Sequence, residues 1–314
     1  MDIEYLLFLQ NFRESTNNVL TPFLENLSLF AVTFLVLFPV LIYWMVDKRS
    51  GLYTLCSYAV CCGINAVVKL TVCAYRPWIR DARVHPAGEA ITTATGYSFP
   101  SGHTVTAGPI YGGIAVSAWK KIRWVSVICI ILFALTAFSR NYLGVHTPQD
   151  VIVGTLESVL WLFLIARLFR YLEVHPEKEN LFLLLSFILG WIFIAYITFK
   201  PYPMTYVEGK LLVDPQKMMR DGYADIGLLI AFPLARFVER KWIRFKATGF
   251  TGKGIAVCLI GLIPLALSIV YLKTPLRAAF GELWGSFMYT LITVFYYIAL
   301  YPLIIKAICG RDEE

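Results

Sequence analysis

The chain has 314 residues, of which 58% are hydrophobic, 15% aromatic and 16% charged, with a net charge of +7. Its mean hydropathy is +0.65. A soluble domain carries about 25% charged residues, and so few charges do not cover a core of this size. An ordinary soluble enzyme, a disordered tail and a nucleic-acid-binding domain are therefore excluded, and no nucleic-acid partner is expected. The remaining class is a polytopic membrane protein, in which Lys and Arg mark the cytoplasmic loops.

Residues 1–25 do not read as a cleavable signal peptide, having neither a basic start nor a small-residue site after an apolar run. Ile3, Leu6, Leu7, Leu9 and Phe12 alternate with Asp2, Glu4, Asn11 and Arg13, a pattern that predicts an amphipathic helix lying in the membrane interface. Apolar runs then follow at 27–46, 52–73, 103–119, 123–138, 151–168, 181–199, 224–238, 255–272 and 284–308. In a bilayer each run must satisfy its own backbone, so each is expected to be a helix. The predicted fold is thus all-α, a transmembrane helical bundle of about nine spans.

One set of loops carries sixteen of the 28 Lys and Arg residues: Lys48 and Arg49, Lys120 to Arg123, Arg167 to Lys178, Arg236 to Lys253, and the pair Lys306 and Arg311. That excess places these loops in the cytoplasm, the N-terminus outside and the C-terminus inside. The expected organisation is an interfacial segment at 1–25, a membrane core at 26–199, an extracytoplasmic loop at 200–222, and three further spans with a short tail at 223–314. The seven cysteines (56, 61, 62, 73, 129, 258 and 309) fall in or beside apolar stretches without disulfide or zinc spacing, and read as small buried residues.

Three polar clusters sit at the outer ends of spans, where polar groups are costly and their grouping is informative. The first runs from Lys69 to Arg76-Pro77. Two helical turns separate Lys69 from Arg76, which predicts one helical face with the cations roughly 10 Å apart and a helix ended by Pro77. Such a pair calls for an anion; snorkelling to headgroups is the plain alternative. The second cluster is Gly96-Tyr-Ser-Phe-Pro-Ser101-Gly102-His103. Its turn opens a helix, and a helix start offers free N–H groups and a positive dipole end to a phosphate. Ser101 adds a hydroxyl and His103 a group able to pass a proton near neutral pH, although Pro-Ser-Gly alone is an ordinary N-cap. The third runs from Ser139-Arg140 through His146-Thr-Pro-Gln-Asp150. Thr147 and Pro148 read as N-cap and first residue of a helix. Asp150 suits the first turn in any case, and it also sits where it would hold the His146 ring in one tautomer, leaving the other nitrogen as a nucleophile. Together these residues fit phosphoryl transfer through a phosphohistidine.

The three pieces, Lys-x6-Arg-Pro, Pro-Ser-Gly-His and Ser-Arg-x5-His-x3-Asp, resemble the signature of the type-2 phosphatidic-acid phosphatase superfamily. The resemblance implies a metal-independent phosphatase without cofactor, acting on a membrane lipid phosphate or diphosphate at the outer face. It implies His146 as nucleophile, Asp150 as its partner and His103 as the acid protonating the leaving oxygen, with Lys69, Arg76, Ser101, Gly102 and Arg140 as the phosphate cradle. The extra spans look like the glucose-6-phosphatase and sphingosine-phosphate phosphatase branches. The motif sequences are similar to those of bacterial members, so a bacterial plasma membrane is expected ahead of the endoplasmic reticulum. A soluble sugar phosphate as substrate, a phosphotransferase, and a non-catalytic lipid-binding or transport protein on the same fold are the alternatives.

His85 and His175 lack partners at motif spacing and read as polar loop residues. The charged residues of 200–222 read as a solvated loop before a lid or headgroup clamp. The basic run at 236–246 reads as a topology signal before an anionic-lipid site. Asn26-Leu27-Ser28 matches a glycosylation pattern but abuts the first span. Acidic residues within the spans read as too sparse for a proton relay.

Overall fold

The computed structural model describes residues 1–94, 96–207 and 209–310; Arg311, one of the tail cations, lies outside them. The chain is almost entirely helical. Helix α1 (Asp2–Ser15) is followed by α2 (Thr21–Thr33), α3 (Leu37–Leu41) and a π-helical turn, Ile42–Val46. Next come α4 (Lys48–Val72), two short helices α5 (Pro77–Arg80) and α6 (Ala90–Thr93), α7 (Gly102–Ala118), α8 (Arg123–Tyr142), α9 (Pro148–Val174) and α10 (Glu179–Phe199). After a two-stranded ribbon, β1 (Tyr206–Val207) antiparallel to β2 (Lys210–Leu211), the chain continues as α11 (Pro215–Val238), α12 (Gly252–Tyr271), α13 (Lys273–Phe280), α14 (Glu282–Phe295) and α15 (Tyr301–Cys309).

Among the described residues, six helical stretches are long and apolar enough to cross a membrane: 48–80, α8, α9, 176–199, α12 and 282–309. The pair Thr21–Thr33 and Leu37–Val46, bent by 45°, makes a seventh if it is one span. Two of the nine expected runs fall outside this set for physical reasons. Helix α7 is short, at 17 residues. Helix α11 opens with Lys217, Arg220, Asp221 and Asp225. Both nevertheless lie alongside α4. Leu156, Phe163, Leu185, Ile192, Ile260 and Ile263 on α9, α10 and α12 are all more than half exposed. That much outward apolar surface belongs to a helix facing lipid.

Helix α4 is the central strut, packed against α7, α9 and α11. Asp47 caps its start, accepting from the Ser50 N–H at 2.6 Å. Close approach of α7 depends on missing side chains. A Cβ at Gly113 would lie 2.6 Å from the Thr54 hydroxyl of α4, and one at Gly108 would collide with Ser158 of α9. This small-residue seam brings the three motif-bearing helices together.

The π-helical turn at 42–46 is one of three among the described residues; the others are Glu239–Ile243 and Tyr296–Leu300. The first and third interlock. Trp44 donates its indole N–H to the Tyr297 carbonyl at 2.8 Å, and the Tyr43 hydroxyl donates to Ile298 at 3.0 Å. Carbonyls displaced from regular helical bonding thereby gain partners from a distant segment, and the C-terminal helices are tied into the core.

Helix α1 is more than an interfacial float. It buries Leu6, Leu9, Gln10 and Arg13. Arg13 donates to the carbonyls of Tyr142 at 3.0 Å and His85 at 2.9 Å. Gln10 accepts from the His85 N–H at 2.8 Å. His85 is thus a loop residue with a clasping role, while His175 lies exposed beside Glu177. All seven cysteines are free, and all but Cys309 are buried.

Candidate active site

The C-terminal end of α4 and the N-terminal ends of α7, α9 and α11 meet at one end of the bundle. Between them lies a cavity of about 150 Å³ lined by Lys69, Arg76, Gly102, His103 and His146, together with Met218, Asp221, Gly222 and Asp225 of α11. Two buried histidines separated by 43 positions in the chain, His103 and His146, therefore face one space.

The first motif departs from the single helical face that its spacing predicts. Helix α4 stops at Val72, because Cys73 adopts a left-handed conformation with φ 51°. Arg76 is extended, and Pro77 opens a short helix instead of ending one. The two cations converge by a reversal of the chain. Lys69 donates to the carbonyls of Tyr97 and Ser98 at 3.5 Å and also to that of Pro100, so its ammonium pins the second motif to α4. Arg76 donates to the carbonyls of Gly96 at 3.1 Å and Val145 at 2.9 Å. It thereby ties the second motif to the third.

Ser101 is the N-cap of α7. Its hydroxyl accepts from the Thr104 N–H at 3.4 Å and the Thr104 hydroxyl at 2.9 Å. It is fully buried and does not line the cavity; its contribution is to hold the helix start. Gly102, which follows, does line the cavity, and a Cβ there would meet nothing within 4 Å. An open helix N-terminus is a fitting anion seat. His103 is 7% exposed and its Nε2 has no hydrogen-bond partner among the described residues. A buried polar atom left so costs free energy unless a ligand completes it.

The third motif forms a capping box. The Thr147 side chain accepts from the Asp150 N–H at 3.4 Å, and Asp150 Oδ2 accepts from the Thr147 N–H at 2.8 Å. The helix-start role of Asp150 is real, and it coexists with the second role: Oδ2 also faces His146 Nδ1 at 3.4 Å. Ser98, absent from the predicted set, donates to the same oxygen at 2.6 Å. Its signal was weak, since only the folded loop brings it there. Asn141 supports the third motif by donating to the His146 carbonyl at 2.9 Å.

On the other side of the ring, Arg76 lies 2.7 Å from His146 Nε2. A guanidinium only donates, so Nε2 is the acceptor and the ring proton sits on Nδ1, toward Asp150. Burial and the Arg76 charge hold the imidazole well below its ordinary pKa. His146 is therefore neutral, in one tautomer, with its lone pair on the cavity side.

Arg140 is 1% exposed. One terminal nitrogen donates to Ser28 of α2 at 2.9 Å, while Nε and the other terminal nitrogen have no partner among the described residues. It is not among the residues that line the cavity. Among the described residues, no group of three or more His, Cys, Asp or Glu has the arrangement to hold a metal ion.

Carboxylates inside the helices are more numerous near the site than the sparse-acid reading allows. Asp221 and Asp225 line the cavity. Glu157 of α9 accepts from Asn65 at 3.2 Å through one oxygen, and the other has no hydrogen-bond partner among the described residues.

Residues 50–173 match the PAP2 superfamily. The chain is 27% identical over 187 residues to lipid phosphate phosphatase delta of Arabidopsis thaliana, covering 55% of this chain and 45% of that protein. It is 30% identical over 109 residues to undecaprenyl-diphosphatase of Sulfolobus acidocaldarius, 35% of this chain and 50% of that one. Phosphatidylglycerophosphatase B of Bacillus subtilis is 33% identical over 97 residues, 29% of this chain and 47% of the relative. The chain thus spans about half the length of the curated relatives it matches. No solved structure matches it.

Proposed function

We propose that the PAP2 superfamily domain formed by residues 50–173 makes this chain an integral membrane phosphatase for a lipid phosphate or diphosphate ester, working without a metal through a phosphohistidine. The observation that carries the reading is the His146 ring: neutral, with Nδ1 toward Asp150 and Nε2 bearing its lone pair at the cavity. The three relatives, named as a lipid phosphate phosphatase, an undecaprenyl-diphosphatase and a phosphatidylglycerophosphatase, support the substrate class.

In the first half-reaction Nε2 attacks phosphorus and the P–O bond to the lipid alcohol breaks. The electron pair leaves with that oxygen, which takes a proton from His103. Asp150 stabilises the positive charge that the ring acquires. Arg76 shifts its donation from the ring to the phosphoryl oxygens, where Lys69, Arg140 and the first N–H groups of α7 add theirs. In the second half-reaction His103 takes a proton from water, the hydroxide attacks phosphorus, and the P–N bond breaks to release inorganic phosphate. Lateral entry suits a lipid, because the site lies at the ends of helices whose flanks face the bilayer.

The proposed topology has nine crossings, with α7 and α11 counted as spans, the N-terminus and the site outside and the C-terminus in the cytoplasm. The organisation into a catalytic core at 26–199, a loop at 200–222 and a three-span extension belongs to the same reading. Its support is the Lys and Arg excess at the far end of the bundle.

Purified protein given a long-chain phosphate monoester in excess chelator should release phosphate. A rapid quench should trap radiolabel on the wild type and not on His146→Ala. Loss of activity in chelator, restored by one metal, would falsify the metal-free mechanism; label trapped on His146→Ala would remove His146 as the nucleophile. A cysteine placed at the exposed Glu89 should react with an impermeant thiol reagent in intact cells, and one at Lys241 should not.

A further inference from the structure

Helix α2 lies outside the stretch that matches the superfamily, yet it reaches the third motif. Ser28, the last residue of the glycosylation-like Asn26-Leu27-Ser28, is 2% exposed. Its hydroxyl donates to the Glu25 carbonyl at 3.0 Å, one turn back along the helix, and accepts from Nη1 of Arg140 at 2.9 Å. A hydroxyl has one proton. With that proton committed to Glu25, its lone pairs are turned to the guanidinium. Apolar packing on either side holds the helix in place. One turn before Ser28, Leu24 belongs to a buried cluster with Ala87, Ala90, Tyr142 and Val145. One turn after it, Ala31 belongs to another with Ala107 and Ile110 of α7.

Arg140 is joined to the nucleophile loop through its backbone, its carbonyl accepting from the N–H groups of Val145 at 3.1 Å and His146 at 3.2 Å. The Ser28 tether takes only one arm of its guanidinium. Nη1 lies on the Cδ side; Nε and Nη2 form the opposite edge, whose two N–H bonds run parallel and can fork onto two oxygens of an anion. Those are the two nitrogens without a partner among the described residues, in a side chain that is 1% exposed. Buried donors left so cost free energy unless a ligand completes them.

Resting on the phosphatase reading above, we propose that Ser28 is a positioning residue for the reaction: by holding Nη1 it fixes the guanidinium plane and leaves the Nε–Nη2 edge open to two oxygens of the phosphoryl group. No other hydrogen bond holds the Arg140 side chain among the described residues. Without the tether, the cost of ordering this long side chain falls on the transition state. Helix α2 then works for the chemistry without touching the substrate.

The test is a double-mutant cycle on phosphate release from a long-chain phosphate monoester in detergent micelles, counted per folded molecule. Ser28→Ala should lower kcat about tenfold and leave KM within about twofold, as for a lost hydrogen bond to a charged group felt in the transition state. Arg140→Met should lower kcat by about 10²–10³-fold. In the double variant nothing is left to orient, so it should match Arg140→Met within about twofold. Wild-type kcat in Ser28→Ala or in Arg140→Met would overturn the proposal. So would a further tenfold loss when Ser28→Ala is added to Arg140→Met, which would make Ser28 a packing residue. Ser28→Cys, nearly isosteric with a weak acceptor, replaces Ser28→Ala if that variant does not fold, and wild-type kcat in it counts against the proposal equally. If the wild type hydrolyses nothing, the phosphatase reading fails by itself. The positioning of Arg140 is then read from equilibrium binding of orthovanadate, as it is if Arg140→Met turns over too slowly to time. Ser28→Ala should weaken that binding severalfold in the wild-type background and not in Arg140→Met; equal affinity of Ser28→Ala and wild type, or no binding to either, overturns it.

Discussion

Two clusters of buried charge stand at opposite ends of α4, about 32 Å apart at helical rise, and they are built on opposite rules. Around Lys48 each named cation has its acid. Lys48 donates to the fully buried Glu239 at 2.5 Å, Arg236 pairs with both Glu239 and, at 2.9 Å, Glu179, and Arg240 reaches Glu179 at 3.0 Å. The cavity there is the larger, at about 270 Å³, and it has Lys48, Arg49, Arg236, Glu173 and Glu179 in its walls but no histidine. Around Lys69 the cations are held by backbone carbonyls and hydroxyls. Among the described residues neither Lys69 nor Arg140 forms an ion pair with a carboxylate. A matched cluster has spent its electrostatic attraction inside the protein and acts as a clamp. A cluster held by neutral oxygens keeps its charge for an incoming anion. Of these two cavities the larger lies at the end with no histidine in its walls.

The sharpest way to break the comparison is to unbalance the clamp. Glu239→Ala leaves the Lys48 and Arg236 charges at that buried position without their shared carboxylate. Removing one partner of a buried ion pair costs about 3–5 kcal/mol. The loss should appear as a lower midpoint of unfolding in denaturant, with turnover per folded molecule unaffected. A variant of wild-type stability, or one folded normally but inactive, would remove the distinction between clamp and site.

The charge pattern of the sequence could locate both clusters but could not tell them apart. Motif spacing marked His103, His146 and Asp150 as candidates, and their helix starts were legible because helix caps are local: Ser101 and Thr147 start their helices where Pro-Ser-Gly and Thr-Pro say they should. The end of α4 was not legible. It depends on a left-handed Cys73, a conformation signalled by Gly or Asn far more often than by Cys. Ser98 was missed because its bond to Asp150 crosses 52 positions, and no periodicity encodes a loop's return. The α11 wall was missed for a related reason. Asp221 read as the edge of a charged loop, and Asp225 fell inside the apolar run 224–238; both line the cavity once α11 packs against α4. The apolar runs predicted the order of the helices; they said nothing of the three π-helical turns, which depend on tertiary partners such as Trp44 and Tyr297.

At the other end of α4, the prediction concerns what an uncommitted cation is worth. Arg140 has a fork of donors, one arm tied to Ser28 and two nitrogens left over. Lysine offers a point charge without the fork. Arg140→Lys should lower kcat by about 10²–10³-fold, the usual effect of losing one transition-state donor, while the unfolding midpoint moves far less than in Glu239→Ala. Retention of wild-type kcat would mean that Arg140 serves only to hold α2 against α8.

The smallest expected effect separates the two oxygen-sharing partners of His146. Asp150 Oδ2 takes hydrogen bonds from the Ser98 hydroxyl at 2.6 Å and the Thr147 N–H at 2.8 Å, with His146 Nδ1 at 3.4 Å. His146 must be neutral to attack, so the acid limb of kcat/KM reports its pKa in the free enzyme, and burial with the Arg76 charge puts that limb below the ordinary histidine value. The carboxylate works the other way, favouring the imidazolium. Asp150→Asn removes that attraction, so His146 stays neutral to lower pH and the limb moves down. Ser98→Ala takes away a donor that competes for Oδ2, leaving more of the carboxylate's charge for the ring, so the limb moves up. The second ionisation of the substrate, near pH 6, is common to all variants and cancels in the comparison. The Ser98 shift should be within about one pH unit, or 1.4 kcal/mol, and kcat should stay within about tenfold of wild type, as for loss of a single hydrogen bond to a charged group. If the two variants move the limb in the same direction, the group titrating there is not His146, and the tautomer deduced from the Arg76 contact loses its catalytic meaning.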